Sequence, residues 1–350
     1  MRIKFSYRVV PFLWILLFPE TNLLSAQEAY FKGKTIRIIA GFPGSGGVDA
    51  EARMMARFLG LYIPGHPTMM VQNMPGAGGT VASNWFEQFA KPDGLTLHYT
   101  STTTINQQAM SVKEAKHDLT RWPALGSVRR GTSVALIRKK SLERLTGGGE
   151  PLKVGVRSGD ESWNALFLWG AEFLKWNLRW VQGYPGGGDI QLAFERNETD
   201  IYPTATLPTL QKFIGQGFTP FVQQGMLSAN GGFQRRSEFP DVPVFEDVAK
   251  DQRPSGVPWQ AFTIFAGTDS VGRPLHAAPK TPANLLHQLR DGFARMKDDA
   301  EFKLELKRVS GEDAQMLSAG ETEQLLRHLL VVSPSIQGYI NGLMKKYLNR

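Results

Sequence analysis

The sequence predicts an α/β protein built as two lobes, each a mixed sheet flanked by helices. Short β-branched runs alternate with helical patterns, glycine-rich turns follow several of those runs, and the alternation occurs in two successive blocks. A chain of 350 residues with 42% hydrophobic content is long enough for two medium-sized cores. Charged residues make up 21%, which argues against a disordered polyelectrolyte and against a coiled coil. The chain has no cysteine, which excludes disulfide frameworks, thiol nucleophiles, Cys-ligated zinc and iron–sulfur clusters together.

Residues 1–26 read as an export signal. Arg2, Lys4 and Arg8 form a basic start, residues 9–18 are an apolar run, and Leu24-Ser25-Ala26 supplies a small residue before a cut. Such a run is too short to span a bilayer, which needs about 20 residues. The segment carries three basic residues against Glu20, so its removal takes the net charge from +8 to +6. The expectation is a periplasmic chain with a cleavable signal, a compartment that makes kinases and NAD-dependent dehydrogenases poor candidates.

The first block opens with a strand at 35–40 and the turn Gly41-Phe42-Pro43-Gly44-Ser45-Gly46-Gly47, followed by a helix at 48–59. Asp49 stands where a first-turn acid would stand. A second strand at 68–72 leads through Pro75-Gly76-Ala77-Gly78-Gly79 into a helix at 81–89, and a third strand covers 95–99. The second block has strands at 133–137, 153–156, 178–182, 201–206 and 218–223, with helices at 161–176 and 190–195. The turn Tyr184-Pro185-Gly186-Gly187-Gly188 opens the latter helix. Beyond it the pattern gives a short helix at 244–249, a strand at 261–266, and helices at 283–297, 300–309, 321–330 and 335–348. The corresponding division is 27–126 plus 226–350 for lobe 1 and 127–225 for lobe 2.

Ligand sites in open α/β sheets lie outside the carboxyl ends of the strands, so the glycine turns mark the candidate site. Glycines let backbone amides approach a ligand, and the helix that follows favours an anion. The first turn, with Phe42, Gly44, Ser45, Gly46, Gly47 and Asp49, is the sharpest such feature; a plain strand–helix connection is the alternative. It is not a dinucleotide fingerprint, because the third glycine is replaced by Asp49 and the second strand ends in Gln72-Asn73 without a ribose-binding acid. Tyr184, Gly186 and Gly187 form a second helix-opening turn, and Thr100 and Ser101 follow a strand where hydroxyls could meet a carboxylate or simply face solvent. Ser158 and Asp160 have N-cap chemistry ahead of the long helix.

No catalytic set accompanies these turns. The chain has no H-E-x-x-H, G-x-S-x-G or S-x-x-K, and its six histidines show no pair at metal-binding spacing. The expectation is therefore a non-enzyme without metal or cofactor. Arg129-Arg130 and Arg138-Lys139-Lys140 read as solvated edges, and no nucleic-acid motif accompanies them.

Three motifs in order, Phe42-Pro43-Gly44-Ser45-Gly46-Gly47-Val48-Asp49, Asn73-Met74-Pro75-Gly76-Ala77-Gly78-Gly79 and Pro92-Asp93-Gly94-Leu95-Thr96-Leu97, resemble one family. It is the substrate-binding proteins of tripartite tricarboxylate transporters, the Bug-type periplasmic receptors. Looser similarity runs on through Tyr184-Pro185-Gly186, Phe239-Pro240-Asp241-Val242-Pro243 and Phe265-Ala266-Gly267. The resemblance implies a two-lobed type II periplasmic-binding-protein (Venus flytrap) fold, monomeric, that closes on a small carboxylated ligand and serves a membrane permease. It implies ligand contact from the 42–49 and 184–188 turns on opposite lobes, with backbone amides and waters holding a carboxylate. Two departures lie at the ligand's far end: Ser158-Gly159-Asp160-Glu161 stands where the family has a Ser/Thr-rich turn with His, and Pro203-Thr204 stands where it often has an acid. The alternative job for the same receptor is an orphan sensor that presents its ligand to a signalling partner.

Overall fold

The computed structural model describes residues 30–349 except Ser45, 229–231 and 312–313; the expected export signal lies outside the described residues. The β-branched run Thr35–Ala40 forms β1, and the glycine turn after it leads into α1, Gly47–Tyr62. Strand β2 (Thr68–Asn73), α2 (Thr80–Phe89), β3 (Thr96–Tyr99), α3 (Thr102–Ala109) and β4 (Ala124–Arg129) follow. The second block contains β5 (Val134–Arg138), β6 (Leu152–Gly155), α4 (Asn164–Phe173), β7 (Leu178–Val181) and α5 (Gly187–Glu195). It closes with β8 (Ile201–Thr204), α6 (Leu207–Gly215) and β9 (Phe218–Gln223). The chain then makes a small hairpin of β10 (Met226–Leu227) and β11 (Phe233–Gln234), and continues through α7 (Phe245–Ala249), α8 (Val257–Gly267) and β12 (Arg273–Ala277). Helices α9 (Ala283–Asp298) and α10 (Ala300–Ser310), strand β13 (Gln315–Ser318), and helices α11 (Ala319–Leu330) and α12 (Pro334–Leu348) complete it.

Two mixed sheets result. The first has six strands in the order β13-β4-β12-β3-β1-β2, the second five in the order β7-β6-β8-β5-β9. In the first, β1 runs parallel to β2 and β3, so the turns after β1 and β3 share one edge. β12 pairs antiparallel with β3 and β4, which brings its first residue, Arg273, to that same edge. In the second, β6 runs parallel to β7 and β8, and β5 antiparallel to β8, so β5 begins beside the carboxyl end of β8. The chain passes between sheets at 130–133 and again after β9.

Each sheet has its own core. Phe58, Leu59, Phe293 and Phe302 cover the first, while Trp169, Phe262 and Phe265 anchor the second. Full burial of such a side chain stabilises by about 1.5–3 kcal/mol. The sequence division places 226–350 with lobe 1, yet α12 buries Ile336, Ile340, Leu343 and Met344 in the core of the second sheet, against α8 and α4. The 261–266 run, expected as a strand, lies inside α8. A short apolar run cannot be told from a buried helix by periodicity, and Pro258 in the first turn starts that helix. β12 escapes the sequence pattern because Pro274 and Arg273 stand where a central strand should be apolar and able to donate.

An unusual patch of this core is polar. His98 and His276 are cross-strand partners on β3 and β12, both fully buried, and both rings pack on Trp122 with His117 at its other side. Burial pushes His98 down to about 4 and His276 down to about 3. Both rings thus stay neutral in the folded chain and take up protons on unfolding below their ordinary value of 6.5. Stability is fully present above that value and declines as pH falls towards 4, by about 1.4 kcal/mol per pH unit for each ring. Urea unfolding should show a lower midpoint at mildly acidic pH than at neutral pH, with a shallower decline in His276→Phe. An identical pH slope in that variant would contradict the assignment.

Candidate functional site

A cavity of about 580 Å³ lies between the two sheets, at the edge where β1, β4, β7 and β8 end. Its first wall is the turn after β1. Asn73, at the end of β2, pins that turn by donating from Nδ2 to the Phe42 carbonyl and to Asp49 Oδ1, both at 2.8 Å. Asp49 also accepts from Arg53 Nε at 2.9 Å, so its charge is met inside lobe 1. Helix α1 starts at N-cap Gly46, which offers no side-chain cap, leaving the first-turn amides open to an anion.

The opposite wall is the turn before α5, whose N-cap, Gly186, likewise has no side-chain cap. A Cβ on Gly186 would stand 3.2 Å from Pro43 Cδ and 3.3 Å from Asp189 Oδ2. The two glycine turns therefore touch across the cleft, and α5 keeps an acid of its own beside its N-terminus. On a second side α10 packs against α6, so the lobes stand closed on the cavity.

The floor is charged. Glu51, on the first turns of α1 and 1% exposed, accepts from Tyr99 at 2.8 Å and from Ser310 at 3.2 Å. Arg273 Nη1 lies 2.8 Å from one of its oxygens, and Arg130 Nη1 lies 3.7 Å from the other, beyond hydrogen-bond distance. Burial alone would raise the Glu51 carboxyl, but Arg273 and Arg130 outweigh it and hold it below the usual carboxylate range. Burial, and then repulsion from Arg273, pulls Arg130 down to about 10, which leaves it cationic at neutral pH. A third arginine, Arg157, is satisfied locally: it stacks over Phe42 and donates to Glu161 at 2.9 Å and Thr103 at 3.1 Å. The floor thus holds two cations on one carboxylate.

Of the residues expected from sequence, Phe42, Gly44, Gly46, Gly47, Asp49, Gly186, Gly187 and Thr204 line the cavity. Ser45 lies outside the described residues. The others stand elsewhere. Thr100 is buried behind the floor, its amide and hydroxyl both donating to the Pro274 carbonyl. Ser101 is the buried N-cap of α3. Asp160 accepts from Asn106 and Gln107 of α3, tying the lobes together away from the cavity, and Ser158 packs over Gly78, where a Cβ would come within 2.5 Å of its hydroxyl. Tyr184 packs against Gly155 beneath the second turn. Arg130, expected as a solvated edge, instead faces the cavity with 22% of its side chain exposed. Arg130 follows the last residue of β4, in the crossing segment, where no periodicity marks which way a side chain faces. Glu51 and Arg273 had no local signal either, since their pairing spans a long sequence separation. Among the described residues no group of three His, Cys, Asp or Glu could hold a metal ion.

The structure resembles those of known periplasmic proteins. The periplasmic binding protein BugD superposes with a TM-score of 0.69 at 15% identity, over 89% of this chain and 98% of its own. MatC from Rhodopseudomonas palustris, solved with bound malate, gives 0.65 at 18% identity over 86% and 97%. A second R. palustris protein, solved with adipate, gives 0.69 at 12% identity over 90% and 97%. No protein-family model and no curated protein matches the sequence.

Replacing Glu51 by Gln keeps its shape and removes the close counter-ion of two guanidinium groups. The expected result is a loss of about 3–5 kcal/mol in chemical denaturation. An unchanged midpoint would show that Glu51 does not neutralise the floor. The chain has the two-lobed fold of the Bug-type periplasmic binding proteins that its sequence motifs resemble.

Proposed function

We propose that this protein is a periplasmic solute receptor that captures a small carboxylate-bearing organic acid between its lobes and delivers it to a membrane permease of the tripartite tricarboxylate type. The observation that carries this reading is the under-neutralised floor beneath an uncapped helix. Arg130 and Arg273 share Glu51, and the first turn of α1 lines the same cavity without a side-chain cap. An anion placed there meets Arg130, which reaches Glu51 only at 3.7 Å, and the roughly half positive charge of a helix N-terminus. Arg53–Asp49 and Arg157–Glu161 are already paired and keep the rest of the wall near neutral. Malate and adipate in the two R. palustris structures support a small acid as cargo.

Binding in such a receptor closes the lobes by rotation about the crossing segments. The crossings here are short, 130–133 and the residues after β9, and Gly225 takes a positive φ of 73° that favours glycine. Arg236 braces this hinge by donating to the carbonyls of Thr132 and Ala205. The basic start and apolar run of residues 1–18 support export with a cleaved signal. No helix among the described residues is long and apolar enough to cross a membrane.

A calorimetric and thermal-shift screen of mono- and dicarboxylates, aromatic acids, neutral sugars and metal cations tests the reading. At least one small acid should raise the melting temperature and show saturable binding, and Arg130→Gln should weaken it by roughly tenfold or more. Stabilisation by a neutral sugar or a cation, with every acid silent, would overturn it.

A further inference from the structure

The floor is specific about the shape of the anion it can hold. Gly47, the first residue of α1, has no side chain, and three polar atoms surround the position its Cβ would take. Arg130 Nη1, Arg273 Nη1 and Thr206 Oγ1 each lie 3.5 Å from that point. They come from three separate elements: the β4–β5 crossing, the start of β12, and the loop between β8 and α6. Arg273 is 8% exposed, and its Nη1 lies 2.8 Å from a Glu51 oxygen. Glu51 serves as the acceptor for Arg273, whereas Arg130 Nη1 stands 3.7 Å from Glu51 and keeps a donor for an incoming acceptor.

The charge of the cradle exceeds what one carboxylate supplies. The two arginines share Glu51 as their close carboxylate, and the α1 N-terminus adds about half a positive charge. Asp269 attracts both arginines from beyond ion-pair distance, and its carboxylate accepts from Ser162 Oγ at 2.7 Å. Donors approaching from three directions suit a tetrahedral group with three free oxygens better than a planar group with two, and a phosphoryl group carries roughly −1.5 to −2 at neutral pH.

We propose that Arg130, Arg273 and Thr206, over the open first turn of α1, form a subsite for a doubly charged tetrahedral oxyanion. On this view the cargo is a small organic acid bearing a phosphonate or phosphate-ester group. The proposal rests on the receptor reading above and narrows its substrate class. Thr204, Gly186 and Gly187, on the opposite wall, are left to meet the ligand's carboxylate.

Calorimetric titration of the full mature chain with phosphonoacetate, sulfoacetate, malonate and inorganic phosphate tests it. The first three place a second anion at one spacing from a carboxylate, so they separate charge and shape. The expected order is phosphonoacetate, then sulfoacetate, then malonate, with phosphonoacetate bound roughly tenfold or more tighter than malonate. Inorganic phosphate should bind more weakly than phosphonoacetate; equal binding would overturn the organic-acid part. Gly47→Ala fills the cradle at ordinary contact distance and without backbone strain, so the free protein should melt as the parent does while the preference disappears. Thr206→Val removes one donor and should reduce the preference in part. Malonate binding as tightly as phosphonoacetate, or Gly47→Ala keeping the preference, would overturn the subsite and leave the receptor reading standing. Failure of every acid in this set and in the wider screen would remove both.

Discussion

A single buried carboxylate organises the cleft. Glu51 sits on α1, receives Tyr99 from β3 and Ser310 from α10, and faces Arg273 of β12 and Arg130 of the crossing segment. Five elements of lobe 1 and the hinge therefore meet at one charge. Removing two guanidinium groups from water costs several kcal/mol each, and only a close carboxylate makes that tolerable. Glu51 is the close partner of both cations and Asp269 acts on them from farther off, so Arg130 has no close counter-ion of its own. Its charge is exposed to the cavity, where an anionic ligand can meet it.

The fold explains why that charge sits where a ligand can reach it. β1 and β3 run parallel, so their carboxyl ends share an edge, and the antiparallel β12 brings Arg273 to the same place. The second sheet presents β8 and the α5 turn across a gap narrow enough for Pro43 and Gly186 to touch. Glycine at the N-cap of α5 serves that close approach, because a Cβ on Gly186 would stand 3.2 Å from Pro43 Cδ. The stability of the closed form is supported away from the cavity by Asn106 and Gln107 clasping Asp160, which leaves the cavity wall to binding.

Much of this was legible in sequence, for physical reasons that differ from residue to residue. The β1 turn announces itself because a β-branched run, four glycines and a helical stripe stand side by side. The Gly186 turn does so for the same reason. Thr100 and Ser101 sit at a strand's carboxyl end as expected, but β12 covers that end and takes up Thr100's hydrogen bonds. Of the tryptophans clustered around α4, Trp163 lines the cavity while Trp169 is core. The charged floor was not legible: Arg130 and Arg273 meet Glu51 only once antiparallel pairing across β12 has formed, and Pro274 hides that strand. Long-range pairing of charges leaves no local pattern.

The central claim is that the cleft is built to be completed by an anion. Native mass spectrometry of the gently purified protein, before and after denaturation, tests it most directly. The account predicts that a small organic anion is lost on denaturation and is retained poorly by Arg130→Gln. A neutral sugar or a metal cation recovered in its place, retained equally by that variant, would contradict it.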